Sequence, residues 1–277
     1  MSATVIPFPN ITLPGIGVAA TSGTGNRLTG SRSEIWLCPA YDQSSQAVPL
    51  YVKIGLSERA IMVEVLAAQV ANALGLLTPT PYIVTVQGKH VGRSTGSQLI
   101  GFGTLDLSTR SMARPIRDLE LLFTLLEKLK IADLAAAFDE WIANDVRSPN
   151  DILLCPETNV FLIDHEAAMQ TGLRADQALT NWLASRLMER LAQGDRLNLL
   201  KKIRGRLVKF RKIGLTSEAP LATGFIQDGS SIYKALVDFL IARLEHLDQL
   251  LSEKIVPEQR YLSPVSTGPN NTEIGHA

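Results

Sequence analysis

The chain has 277 residues, 45% of them apolar, with 27 basic and 27 acidic side chains and a formal net charge of zero. That length and apolar content can bury a sizeable core, as one large domain or as a two-lobed unit sharing a cleft. The balanced charge gives no global positive field, so no direct nucleic-acid binding is expected and any phosphate site must be local.

Cys38 and Cys155 lie far apart with no Cys-x-x-Cys spacing, which argues against a zinc site or a disulfide framework. The opening "MSATVIPFPNITLPG" is interrupted by prolines and glycine, so residues 1–14 read as an extension and not as a secretory leader. Charges break every apolar run before the roughly 20 residues that a membrane span requires. A cytoplasmic protein without a membrane span is expected.

Residues 15–33 are dense in Gly, Ser and Thr, and "EIWL" and "VPLYVKI" follow as strands, with Lys53 near the end of the second. From Ser57 the apolar spacing becomes helical, predicting a helix over 58–74 with Ser57 as N-cap and Gly75 as C-cap. "TPTPYIVTVQGKHVGR" predicts a strand, a turn at Gly88 and a second short strand, leading into "SQLIGFG". The expected small β-rich unit is 15–102, with a Gly-flanked connection at 101–103.

Beyond it, 115–143 predicts two helices, and "DILL" and "VFLI" predict a hairpin around "CPETN". Three amphipathic helices are expected over 175–193, 196–213 and 231–254. The larger helical unit spans 103–256, and 257–277 reads as a disordered tail. A cleft between two such units is a natural ligand site.

The hairpin carries the first chemistry. If its strands pair, Asn150 and Asp164 meet at the open end, with Asp145 close by. An amide oxygen and a carboxylate suit magnesium, and a carboxylate free of the metal, Asp145, can orient a hydroxyl and accept its proton. That is the division of labour phosphoryl transfer requires. The competing reading is ordinary turn and helix-end chemistry, where Asp and Asn are common.

Lys53 has two readings, a solvent-facing strand lysine or a buried ammonium that needs a partner. Glu64, on the following helix, could supply that partner and aim Lys53 at phosphates, while Glu58 in the first turn fits the helix dipole. The run containing Ser22, Gly23 and Gly25 matches neither G-x-x-x-x-G-K-[ST] nor G-x-G-x-x-G. It is either a surface loop or a phosphate cover made of backbone N–H groups. His165 reads as a brace beside Asp164 or as core, and Phe138, Trp141 and Trp182 as helix packing.

Taken together, Lys53 in "YVKI", Glu64 in "VEVLAAQVANALGLLTPTP", "NDVRSPNDILL" and "FLIDH" resemble the HipA-like kinases, relatives of the phosphoinositide lipid kinases. The resemblance covers about 20–250 and implies an α+β, two-lobed protein-kinase-like fold, with a small β-rich N-lobe and a mainly helical C-lobe. It implies ATP and Mg²⁺ as cofactors, Lys53 on the phosphates, and Leu99, Ile100 and Phe102 as part of a hinge near adenine. Asp145 becomes the catalytic aspartate and Asn150 and Asp164 the metal ligands. The implied acceptor is a serine or threonine of a protein substrate, or of the chain itself, with residues 21–33 as candidates by position.

Three departures stand out. HipA toxins carry an additional N-terminal subdomain, whereas this chain begins almost at the expected nucleotide loop. The partner expected from that difference is a separate chain resembling the N-terminal subdomain, or an antitoxin. "DHE" places Glu166 where other kinase families have a glycine; it either binds a cation or, the favoured reading, faces solvent. Arg147 is either a phosphate contact or a loop brace. Two rival readings are a small-molecule phosphotransferase of the aminoglycoside and choline kinase type, which "LIDHEAA" also fits, and a pseudokinase acting as a nucleotide- and partner-binding module.

Overall fold

The structure is a computed structural model describing residues 11–30, 33–107, 114–115, 117–155, 159–216 and 218–256. The expected disordered tail, the first ten residues of the expected extension and the CPETN turn residues 156–158 lie outside them.

Seven elements make a strand-rich region: β1 (Gly17–Thr21), β2 (Asn26–Arg27), β3 (Glu34–Asp42), β4 (Ala47–Ile54), α1 (Glu58–Leu74), β5 (Pro81–Gln87) and β6 (Gln98–Leu105). The sheet runs β1-β5-β6-β4-β3-β2, and β1 also pairs with β3, so five strands close on themselves. Side chains alternate across a strand. Leu50, Val52 and Ile54 of β4 pack with Cys38, Ala40, Val84 and Val86 in one core. Ile83 and Phe102, on the opposite face, pack with α1 in the other. Lys53, between Val52 and Ile54, therefore points towards α1.

The "GFG" stretch is not a connection. Its glycines lie in β6, where a Cβ on Gly101 would sit 2.6 Å from the Lys53 carbonyl and one on Gly103 2.5 Å from Val84 Cγ2. So small a closed sheet leaves no room for side chains at these two positions. β6 continues to Leu105, three residues past the expected boundary at 102. The expected strand at "KHVGR" is instead a single 3-10 turn over Gly88–Val91, ended by Gly92 at φ 69°. β1 was hidden within the Gly/Ser/Thr run.

α1 forms over the predicted range. Ser57 accepts from the Ala60 N–H, and Gly75, at φ 82°, closes the C-terminus. Twelve of its seventeen residues are buried, so it is a core helix without a solvent face.

The helical region comprises α2 (Leu119–Lys128), α3 (Ala132–Trp141), α4 (Trp182–Arg190), α5 (Gln193–Phe210) and α6 (Gly229–Ile255). A three-stranded sheet sits beside them, β7 (Arg114–Pro115), β8 (Ile152–Cys155) and β9 (Asn159–Leu162). The hairpin is the predicted one, with Ile152 opposite Leu162. α4 is shorter than expected because the chain ahead of it is held in another way. The buried Arg243 donates to the carbonyls of Ala175 and Gln177 and pairs with Glu140 at 3.1 Å. Asn181 then caps α4 through the Ala184 N–H. Among the described residues no helix is long and apolar enough to cross a membrane.

Candidate active site

Lys53 is held by carboxylates from two parts of the chain. Its Nζ lies 2.6 Å from Glu64 Oε1 on α1, 2.6 Å from Asp164 Oδ1 just after β9, and 3.0 Å from Glu166 Oε2. Burial alone would favour the neutral amine, but three carboxylates reverse that and hold the lysine well above its ordinary range. Glu64 is fully buried, which would push its pKa up, yet Lys53 and His165 bring it down to about 2. The site therefore keeps a fixed cation in a partly closed space. The buried reading of Lys53 is the correct one, and Glu64 is its partner. Glu58 is exposed in the first turn.

The expectation that Glu166 faces solvent is overturned. Its side chain is 26% exposed, and while Oε2 meets Lys53, Oε1 accepts from Ser33 Oγ at 2.7 Å. Ser33 immediately precedes β3, so the start of that strand is tied to the Lys53 cluster. His165 is buried, with its backbone N–H donating to Glu64 Oε2 at 2.9 Å and its ring set edge-on to Phe138. It is brace and core at once.

Asp145 stands on a loop that is locked from below. Arg147 is buried and makes a fork to Asp139 of α3, with Nη2 to Oδ1 at 2.8 Å, while Nη1 donates to the Ile163 carbonyl at 2.6 Å. Arg147 is thus the brace, not a phosphate contact. It clamps the Asp145 loop to the residue before Asp164. Asn144 is buried beneath, whereas Asp145 is half-buried and accepts from Gln170 Nε2 at 3.1 Å.

Asp164 adopts φ 61°, in the left-handed region that is costly for a non-glycine residue and that gathers at functional sites. Its side chain is 42% exposed. The Ile163 N–H donates to the Asp151 carbonyl, continuing the hairpin register towards the end that carries Asn150 and Asp164. Asn150 is exposed within a 3-10 turn over Pro149–Asp151, and burial raises the pKa of its neighbour Asp151. Asn150 and Asp164 thus stand at the same end of the hairpin, and an amide oxygen with a carboxylate is a donor set that suits magnesium. The acidic atoms of Glu64, Asp164 and Glu166 converge within 4.8 Å, with the Lys53 ammonium paired to all three.

Two groups of expected site residues do not take the places expected of them. The Ser22 N–H donates to the Pro39 carbonyl and the Gly25 N–H to His90, so both amides are spent inside the protein. A Cβ on Gly25 would meet Cys38 Sγ at 2.6 Å, and Gly23 lies against Pro39. Lys53 is level with Ile35, four residues along β3 from Pro39, or about 13 Å. The run from Ser22 through Gly23 to Gly25 packs on the sheet and does not approach Lys53. Leu99, Ile100 and Phe102 are paired to β5, and Phe102 also to Lys53 of β4. They are strand residues, and the chain leaves the sheet only after Leu105. Phe138 and Trp141 are buried in the core, with Trp182 packed against it, as expected.

Gln170 and the contacts of Glu166 with Lys53 and Ser33 do not follow from the sequence. Nothing in the sequence marks Gln170.

The model of the HipA-like kinase family matches residues 25–211. The crystal structure of a proinflammatory kinase, CtkA of Helicobacter pylori, superposes with a TM-score of 0.52 at 11% identity, covering 84% of this chain and 97% of that one. That likeness is one of fold. No curated protein matches the chain.

Proposed function

This chain belongs to the HipA-like kinase family, and from that premise we propose that it is an ATP- and magnesium-dependent phosphotransferase of serine or threonine hydroxyls on a protein, its own chain included. The observation that carries this reading is the Lys53 cluster. A buried strand lysine paired to a helix glutamate, beside an aspartate at a hairpin end, is the arrangement that grips and neutralises nucleotide phosphates.

In this reading the strand-rich and helical regions act as two lobes with ATP between them. Lys53 contacts the phosphates, and Glu64 keeps it aimed. Ser33, held by Glu166, stands beside the phosphates in place of the Ser22–Gly25 run. The connection near adenine begins past Leu105. Asp164 and Asn150 would hold magnesium, which when bound neutralises charge on the transferred group. Asp145, with one oxygen engaged by Gln170, orients the acceptor hydroxyl and takes its proton.

ATP titrations with and without magnesium test the assignment. Asp164→Ala should abolish the magnesium dependence of binding while Asp145→Ala retains it. Equal loss in both, or in neither, contradicts these roles.

A further inference from the structure

His165 occupies a slot that an apolar ring would fill at lower cost. It is 2% exposed, its ring stands edge-on to Phe138 with centroids 5.8 Å apart, and its Nε2 is buried with no hydrogen-bond partner among the described residues. An unsatisfied buried nitrogen is a penalty that phenylalanine would not carry. What the imidazole adds is Nδ1, 3.4 Å from Glu64 Oε2, the oxygen that already accepts the His165 backbone N–H at 2.9 Å. The other oxygen of Glu64 lies 2.6 Å from Lys53 Nζ. Both ends of the glutamate are thereby fixed, one by the lysine and one by the residue that follows Asp164.

We propose that His165 is a positioning residue that orients Glu64, and through it Lys53, coupling α1 and β4 to the segment that carries Asp164. It touches neither nucleotide nor acceptor. With Nδ1 protonated, the ring donates to the carboxylate and leaves only an acceptor lone pair facing the apolar side. Packing alone would make His165 interchangeable with phenylalanine. A link to Glu64 makes the two residues interdependent, and lets an asparagine, whose amide reaches the same position as Nδ1, replace part of the contact. The functional side of this inference rests on the kinase reading above, whereas the link itself does not.

The test is a double-mutant cycle of His165→Phe and Glu64→Gln, with His165→Asn as the conservative variant. Two readouts are taken, phosphoryl transfer and the urea unfolding midpoint without nucleotide. In an active protein, His165→Phe should lower kcat about tenfold, the scale of one hydrogen bond to a charged acceptor, and leave the KM for the acceptor unchanged. His165→Asn should recover part of that loss, and His165→Phe should cost much less in the Glu64→Gln background. The urea midpoints should be non-additive in the same sense. Wild-type kcat in His165→Phe, or independent effects in the cycle, overturns the proposal. If the wild-type protein transfers no phosphate, the kinase reading fails and the urea cycle alone decides the link, with additive midpoints overturning it. The same cycle decides if His165→Phe is too unstable for kinetics, using His165→Asn in its place.

Discussion

Arg147 and Asp139 form a forked ion pair closed to solvent on both sides, with Nε 3.0 Å from Oδ2 and Nη2 2.8 Å from Oδ1. The remaining amine of the fork reaches the Ile163 carbonyl, so a single guanidinium spans α3, the Asp145 loop and the strand end before Asp164. Arg147→Ala would leave the Asp139 carboxylate buried without a countercharge, with only Asn144 Nδ2 at 3.5 Å. We expect a loss of about 3–5 kcal/mol in urea unfolding. Arg147→Lys keeps the charge but not the fork, and should fall between the two. A loss of under about 1 kcal/mol for Arg147→Ala, the scale of a surface pair, would show that the clamp is not structural.

The closed sheet gives a second expectation. At Gly101 an added methyl meets the backbone oxygen of Lys53, which cannot move without shifting β4. Gly101→Ala should destabilise the protein by about 1–3 kcal/mol, the usual cost of overpacking, and weaken ATP binding by displacing Lys53. At Gly23 the nearest atom is Pro39 Cγ at 3.1 Å, a side chain with some freedom to give. Gly23→Ala should therefore leave ATP affinity unchanged in calorimetric titration. A marked loss there would return the Ser22–Gly25 run to the nucleotide.

Glu64 sets a pH dependence. Its pKa falls from an ordinary 4.5 to about 2, because Lys53 and His165 outweigh the burial that would raise it. A carboxylate depressed in the folded state contributes stability above its unfolded pKa and loses it as pH falls through the folded value. Stability should thus decline from about pH 4.5 towards pH 2 in part through this group. Glu64→Gln should flatten that part of the acid limb in urea midpoints measured against pH. An unchanged slope would mean that Glu64 is not the group responsible.

Much of this site was legible because its signals are local. Ser57 and Gly75 bracket α1 by capping chemistry, and Lys53 and Glu64 fall on a strand and helix whose faces follow from periodicity. The hairpin around Asn150 and Asp164 likewise follows from two short apolar runs. What was lost depends on closure of the sheet. β1 is read as loop because GVAAT offers small residues with little β signal, and its strand character comes from pairing with β5 and β3 at once. The same closure turns Gly101 and Gly103 from an apparent connection into inward strand positions. Glu166 reads as a surface acid because Ser33, which meets it across 133 residues of chain, lies beyond any local pattern.

Phosphate transfer by this chain is tested by incubation with γ-labelled ATP and magnesium. Wild-type protein, Asp145→Ala and Asp164→Ala would be compared, with label followed onto the chain itself, onto proteins of a cell extract and onto small alcohols. Label is expected on serine or threonine of protein in the wild type and is lost in both variants. Label on a small alcohol alone would move the acceptor to the small-molecule class. ATP binding with no label on any acceptor would contradict the claim and leave a nucleotide-binding module.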